Sequence, residues 1–199
     1  YRKVPLDDDF SLCANKLLDA TDSNTRVIWI CSPNNPTGNA FEPDEIIEIC
    51  SKFMGIVVVD EAYIDFSSKP SMLKQINTLP NLIVMQTFSK AWGSAAVRLG
   101  MAFASPEIIS IFNKVKYPYN VNQLTQQYAL ELLQNYQQVT HWVTMLTHAR
   151  QKLITQLNEL PVTVHIYPSD ANFVLVKVTD ASSIYNYLRS QGIIIRNRH

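Results

Sequence analysis

The stretch "RVIWICSPNNPTGNAFEPDEIIEICSKFMGIVVVD", residues 26–60, decides the fold. It opens and closes on apolar runs without polar alternation, "RVIWIC" and "GIVVVD", which read as strands buried on both faces of a sheet. Between them, "EPDEIIEICSKF" spaces Ile46, Ile47, Ile49, Cys50 and Phe53 along one helical face, and Pro43 with Asp44 suits a helix start. Strand, helix, strand predicts a right-handed parallel unit. The connection behind the first strand, "CSPNNPTGN", holds two prolines, two adjacent asparagines and a glycine. A plain surface turn uses the same residues, because proline fixes φ, glycine permits positive φ and asparagine caps local backbone groups.

Working outward, "NLIVMQ" (81–86) and "LGMAFA" (99–104) repeat the unalternated strand pattern. Together these runs predict an α/β domain, a mostly parallel sheet flanked by helices. From Asn122 to about Leu157 the pattern is helical throughout, long enough to bridge two domains. After Pro161 it changes to "VTVHIY", "NFVLVKV", a helix at "ASSIYNYLRSQ" and a strand-like "GIIIR", the beginning of a small α+β unit. The expected division is a large domain over 1–135, a bridging helix over 136–160 and part of a small domain over 161–199. The chain opens on Tyr1 and closes on "GIIIRNRH", so it reads as a piece of a longer protein that lacks both ends.

Composition narrows the partners. Lysine plus arginine and aspartate plus glutamate are equal at 17 each, without long runs of one sign, which gives no footprint for nucleic acid or an anionic membrane surface. Any anionic ligand must be held locally. Cys13, Cys31 and Cys50 have no CxxC or Cys/His spacing, so neither a disulfide framework nor zinc is expected, and a reducing cytoplasm fits. His141, His148, His165 and His199 also lack metal-ligand spacing. No apolar run approaches the roughly 20 residues that span a bilayer. Trp29 and Trp142 sit in apolar patterns and read as packing residues.

In open α/β sheets, ligands bind outside the carboxyl ends of the parallel strands. Three strands here end in polar residues: "VIWIC" leads to Asn34 and Asn35, "VVVD" delivers Asp60 with Tyr63 close behind, and "LIVMQ" is followed by Thr87, Ser89 and Lys90, with Arg98 beyond. Singly, each has a bland reading. Asp60 caps a turn, Lys90 is solvated, Arg98 makes a surface ion pair and Tyr63 is core. Their occurrence together, in order, at strand ends favours one crevice with an acid, a tyrosine, hydroxyls, a lysine and an amide. No GxGxxG or GxxxxGK stretch supports a nucleotide-binding alternative.

The motifs "SPNNPTG", "VVVDEAYIDF" and "TFSKAWGSAAVRLG" resemble fold-type I pyridoxal-phosphate enzymes, and "DEAYIDF", "PYNVN" and "GIIIRNR" favour the histidinol-phosphate aminotransferase family. The resemblance runs over nearly the whole chain. It implies a fold-type I large domain plus part of a small C-terminal domain, with pyridoxal 5'-phosphate as cofactor. It implies Lys90 as the catalytic residue bonded to that cofactor, with Asp60 at the ring nitrogen and Asn35 and Tyr63 at the ring's phenolate oxygen. Thr87, Ser89 and Arg98 would anchor the cofactor phosphate, Arg196 would reach the substrate's phosphate, and no metal is implied. The implied reaction exchanges an amino group between L-histidinol phosphate and 2-oxoglutarate, giving glutamate, in histidine biosynthesis by a cytoplasmic homodimer. The family usually has glycine where this chain has Ala96, which tests whether the turn tolerates a Cβ without displacing Arg98. Alternatives are an aromatic aminotransferase, a threonine-phosphate decarboxylase, or a truncated module that binds cofactor without catalysis. The chain alone is expected not to transaminate.

Overall fold

The computed structural model describes residues 1–198. Helix α1 (Ala14–Asp19) precedes strand β1 (Val27–Cys31), helix α2 (Pro43–Lys52) and strand β2 (Ile56–Asp60), and β1 and β2 pair in parallel as the strand–helix–strand reading requires. β3 (Leu82–Thr87) pairs parallel to β2, and β4 (Gly100–Ala104) closes the four-stranded sheet antiparallel to β3. The sheet is thus mostly parallel and helix-flanked. Between β2 and β3 the chain forms 3-10 turns at Ile64–Phe66 and Met72–Gln75.

One face of the sheet packs on α2. Ile46, Ile49 and Cys50 lie against Ile28, Ile30, Val57, Val59, Leu82 and Val84 in one buried cluster. Val57, Val59, Leu82 and Val84 are wholly buried, and each contributes about 1.5–3 kcal/mol. The side-chain amide of Asn81, just before β3, reaches the carbonyls of Cys50, Phe53 and Gly55 at 3.0 Å each and ties the end of α2 to the start of β2.

The expectation that all four strands are buried on both faces holds only for the inner pair. β2 and β3 are closed in, whereas β1 alternates, with Val27 51% and Trp29 59% exposed, and β4 is largely open. Both are edge strands, and helix α2 covers only one side of β1. Trp29 is therefore not a packing residue among the described residues, and Trp142 is 42% exposed as well.

Helices α3 (Pro106–Val115), α4 (Gln123–Gln134) and α5 (Tyr136–Asn158) follow. The long helical stretch is two helices because Asn135 interrupts it. Its N–H is shared between the carbonyls of Glu131 and Leu132 and its side chain also bonds Glu131, which ends α4 and lets α5 restart at once. Beyond α5, β5 (Thr163–Ile166) and β6 (Val176–Val178) form an antiparallel pair, and α6 (Ala181–Ser190) is capped by Asp180. The strand expected at "GIIIR" does not form. Residues 193–198 have no regular secondary structure, and Ile194 is 75% exposed. A strand needs a neighbouring strand for its N–H and C=O groups; among the described residues this segment pairs with none, and Ile193 N–H instead bonds back to Leu188 O at 2.9 Å. No described helix is long and apolar enough to cross a membrane.

Candidate active site

The turn behind β1 is tied largely to itself. Asn34 exchanges backbone bonds with Asn39 and Gly38, and its side chain donates to Thr37 Oγ1, which in turn donates to Asn39 Oδ1. The Ser32–Pro33 and Asn35–Pro36 peptides are cis. Gly38 has φ +90°, a conformation that side chains resist. The turn projects Asn35, whose Nδ2 donates to Tyr63 Oη at 3.1 Å. Tyr63 is buried, so its core reading is correct, yet its hydroxyl reaches the site. Because Tyr63 accepts from Asn35, its own phenolic proton is left to donate elsewhere.

Lys90 sits on the loop behind β3. Buried Phe88 and Ala91 flank it and hold the loop down, and the turn closes through Gly93 N–H to Lys90 O at 3.0 Å. The lysine itself is exposed, with Nζ 5.0 Å from the centroid of the Tyr63 ring. Three segments distant in sequence thus meet at Asn35, Tyr63 and Lys90.

Asp60 ends β2 and lines an open cleft of about 650 Å³ with Thr87, Ser89, Lys90 and Arg98. Its Oδ1 accepts from Ala62 N–H at 3.1 Å, so the turn-capping reading is also true of one oxygen. Thr87 Oγ1 donates to Leu99 O and accepts from Ser89 N–H, which fixes the turn on which Ser89 and Lys90 stand. Arg98 bonds Ala95 O from Nη1 and has φ +55°, the left-handed region. A non-glycine residue there carries local strain of about 1–3 kcal/mol, typical of functional turns. Ala96 lies in the 3-10 turn Ala95–Val97 and is not among the positive-φ residues, so its Cβ meets no backbone objection. The cleft can therefore hold an anion between hydroxyls and a guanidinium at one side and a cationic group beside a carboxylate at the other.

Arg196 is exposed in the irregular segment 193–198. The nearby Arg198 instead reaches the site, with Nη2 3.4 Å from Asn35 Oδ1. No sequence pattern assigns a role to Phe173, whose ring meets Tyr63 edge-on at 5.3 Å, or to Glu61, which follows Asp60 at the strand end. Glu61 is 2% exposed and accepts from Ser71 Oγ, Met72 N–H and Gln86 Nε2, binding the end of β2 to β3 and to the 71–72 turn. Burial pushes its carboxyl up, against the pull of those hydrogen bonds. In the sequence, the signal available was a second acid immediately after the strand-end Asp60. Burial, with Asp60's charge adding to it, also pushes the Cys31 thiol up, so Cys31 stays protonated and is no rival nucleophile. Among the described residues no group of His, Cys, Asp and Glu could hold a metal ion. His199 lies outside the described residues.

Fold and cleft together define an open-sheet α/β protein whose polar side chains gather at the carboxyl ends of its parallel strands, where ligands of this class sit. The profile of the family described as "Aminotransferase class I and II" matches residues 1–199, and the chain belongs to that family. It is 57% identical over its whole length to a histidinol-phosphate aminotransferase of Bacteroides thetaiotaomicron, of which it covers 58%. The chain therefore spans a little over half the length of such relatives. Among solved structures, a histidinol-phosphate aminotransferase of Clostridium acetobutylicum superposes with TM-score 0.88 at 22% identity, over 96% of this chain and 59% of that one. One of Sinorhizobium meliloti, in complex with pyridoxal-5'-phosphate, gives 0.83 at 24% identity, over 98% and 55%. These two likenesses establish the fold, that of fold-type I aminotransferases.

Proposed function

We propose that the full-length protein is a pyridoxal-phosphate-dependent transaminase that exchanges an amino group between L-histidinol phosphate and 2-oxoglutarate, with glutamate as the other product. The observation that carries this reading is the meeting of Asn35, Tyr63 and Lys90: 3.1 Å from amide to phenol and 5.0 Å from amine to ring, beside the cleft that holds Asp60. The names of relatives at 57% identity support the choice of substrate.

The donor set around the cleft fits pyridoxal phosphate, with a carboxylate for a protonated ring nitrogen, amide and phenol donors for a ring oxygen, and hydroxyls with a guanidinium for a phosphate. When bound, that group supplies an aldehyde for amine exchange and a ring that accepts an electron pair. Lys90 would hold that group, and its amine would take the proton from the substrate α-carbon as general base and return it as general acid. Asp60 would keep a proton on the ring nitrogen through its negative charge. Asn35 and Tyr63 would donate to the ring oxygen. Thr87, Ser89 and Arg98 would bind the cofactor phosphate, with a guanidinium suited to it, and Arg196 would reach the substrate's phosphate.

In this reading, residues 1–135 belong to the cofactor-binding domain, 136–160 to a bridging helix and 161–199 to a small domain. The working state is a homodimer, supported by the apolar exposure around α3 and α4, where Val115 is 75%, Tyr119 94% and Leu124 77% exposed. Free Cys13, Cys31 and Cys50 suit the cytoplasm. The test is a coupled assay of glutamate formation from L-histidinol phosphate and 2-oxoglutarate, beside phenylalanine and threonine phosphate. Preferential turnover of L-histidinol phosphate supports the reading, and preference for another donor, or decarboxylation of threonine phosphate, overturns it.

A further inference from the structure

The segment 169–173, "SDANF", lies far in sequence from the cleft and touches both turns that form it. Asp170 N–H donates to Gly38 O at 2.7 Å, and Asp170 Oδ2 accepts from Ala40 N–H at 3.3 Å. Its other oxygen, Oδ1, accepts from Ser68 N–H at 3.0 Å, Ser68 Oγ at 3.1 Å and Ser67 Oγ at 3.2 Å. One carboxylate thus grips the turn that carries Asn35 and the loop just beyond Tyr63. Burial alone would push Asp170 up; the donors from Ser68, Ala40 and Ser67 outweigh it and leave the carboxyl below its ordinary value.

The segment is itself held in place. Arg150 of α5 donates to Ala171 O at 2.6 Å and to Phe66 O at 3.3 Å, and Ala171 is wholly buried. Phe173 packs edge-on against Tyr63, and a Cβ on Gly38 would stand only 2.9 Å from Ser169 Oγ, so the Ser169 side chain seats closely against the turn where glycine leaves room for it.

We infer that Asp170 is a positioning residue for the cofactor-facing pair Asn35 and Tyr63, setting the separation of the two turns by bonding both. The inference rests on the proposed pyridoxal-phosphate reading. Asn35 and Tyr63 stabilise negative charge on the cofactor's ring oxygen, and a slackened pair donates less well. The proton shared near that oxygen is then held more tightly, so the pH midpoint of the cofactor's visible band moves up. Loss of about one hydrogen bond to a charged group corresponds to a shift of about one pH unit, or tenfold.

The experiment is a spectral pH titration of the full-length protein loaded with pyridoxal phosphate, in wild type, Asp170→Ala, Asp170→Asn and Ser67→Ala/Ser68→Ala, with Tyr63→Phe as reference. The expected result is an upward shift of about one unit in Asp170→Ala, with smaller shifts in Asp170→Asn, which keeps one oxygen acceptor, and in the double serine variant, which keeps the carboxylate and the Ser68 N–H. If Asp170→Ala does not fold, the other two variants decide the question by the same criterion. A lowered melting temperature with the midpoint unmoved in the Asp170 and serine variants, while Tyr63→Phe moves it, makes Asp170 merely structural and overturns the inference. Absence of any cofactor band in the wild type instead overturns the reading on which it rests.

Discussion

At Asp60 a turn-capping bond and a cleft-facing carboxylate coexist, because Ala62 N–H meets only Oδ1. Removing the charge should therefore disturb the fold little. In the full-length protein Asp60→Asn is expected to retain cofactor while turnover falls about 10²–10³-fold, as for other losses of one electrostatic stabiliser; steady-state kinetics beside cofactor absorbance check this, and near-normal turnover would leave Asp60 a turn cap only. Its neighbour Glu61 has a different task. Three donors converge on its buried carboxylate, so Glu61→Ala should cost about 3 kcal/mol or more in denaturant unfolding, since each orphaned donor costs about 1–3 kcal/mol. The pH dependence follows from the direction of its shift. A carboxyl raised in the fold above its ordinary 4.5 favours folding most when protonated. Its contribution is full below pH about 4.5 and declines as pH rises to the raised value. Melting temperatures across that range should decline less steeply in Glu61→Gln than in the wild type.

The turn behind β1 works as an element because two segments close on it. Gly38 has φ +90°, and an added Cβ would stand 2.9 Å from Ser169 Oγ, so Gly38→Ala should destabilise by about 1–3 kcal/mol and weaken cofactor retention through Asn35, read by unfolding and by absorbance. The clasp made by Asp170 adds an acid limit. A carboxyl lowered in the fold below its ordinary 3.8 stabilises above that value, and the stabilisation disappears as pH falls through the lowered one; an acid unfolding curve should lose this component in Asp170→Asn. Legibility differed from element to element for physical reasons. Runs such as "GIVVVD" announced β2 and β3 because a strand enclosed on both faces has no polar alternation. The same apolar content misled at β1 and β4, since sequence does not say which strands stand at the edge. "GIIIR" looked like a strand by composition, yet a strand exists only with a partner to bond.

For the whole molecule, the candidate residues at strand ends were legible because sheet topology fixes where such ends point. That Asp60, Thr87, Ser89 and Lys90 line one cleft, with Asn35 beside it at Tyr63, follows from strand order alone. The roles of Arg150, Asp170, Phe173 and Arg198 do not, because they depend on how residues 150–198 come to rest against the sheet, a matter of tertiary contact without a local pattern. Arg196 and Arg198 illustrate the limit, since sequence favoured the first and the fold brings the second to Asn35. Lys90, presented by its loop beside Tyr63, is the residue on which the proposed chemistry depends. Borohydride reduction makes a lysine–cofactor bond permanent, so the cofactor-loaded full-length protein can be reduced and its peptides mapped. Label is expected on Lys90 alone; label on Lys52, Lys114 or another lysine, with Lys90 clean, rules that role out.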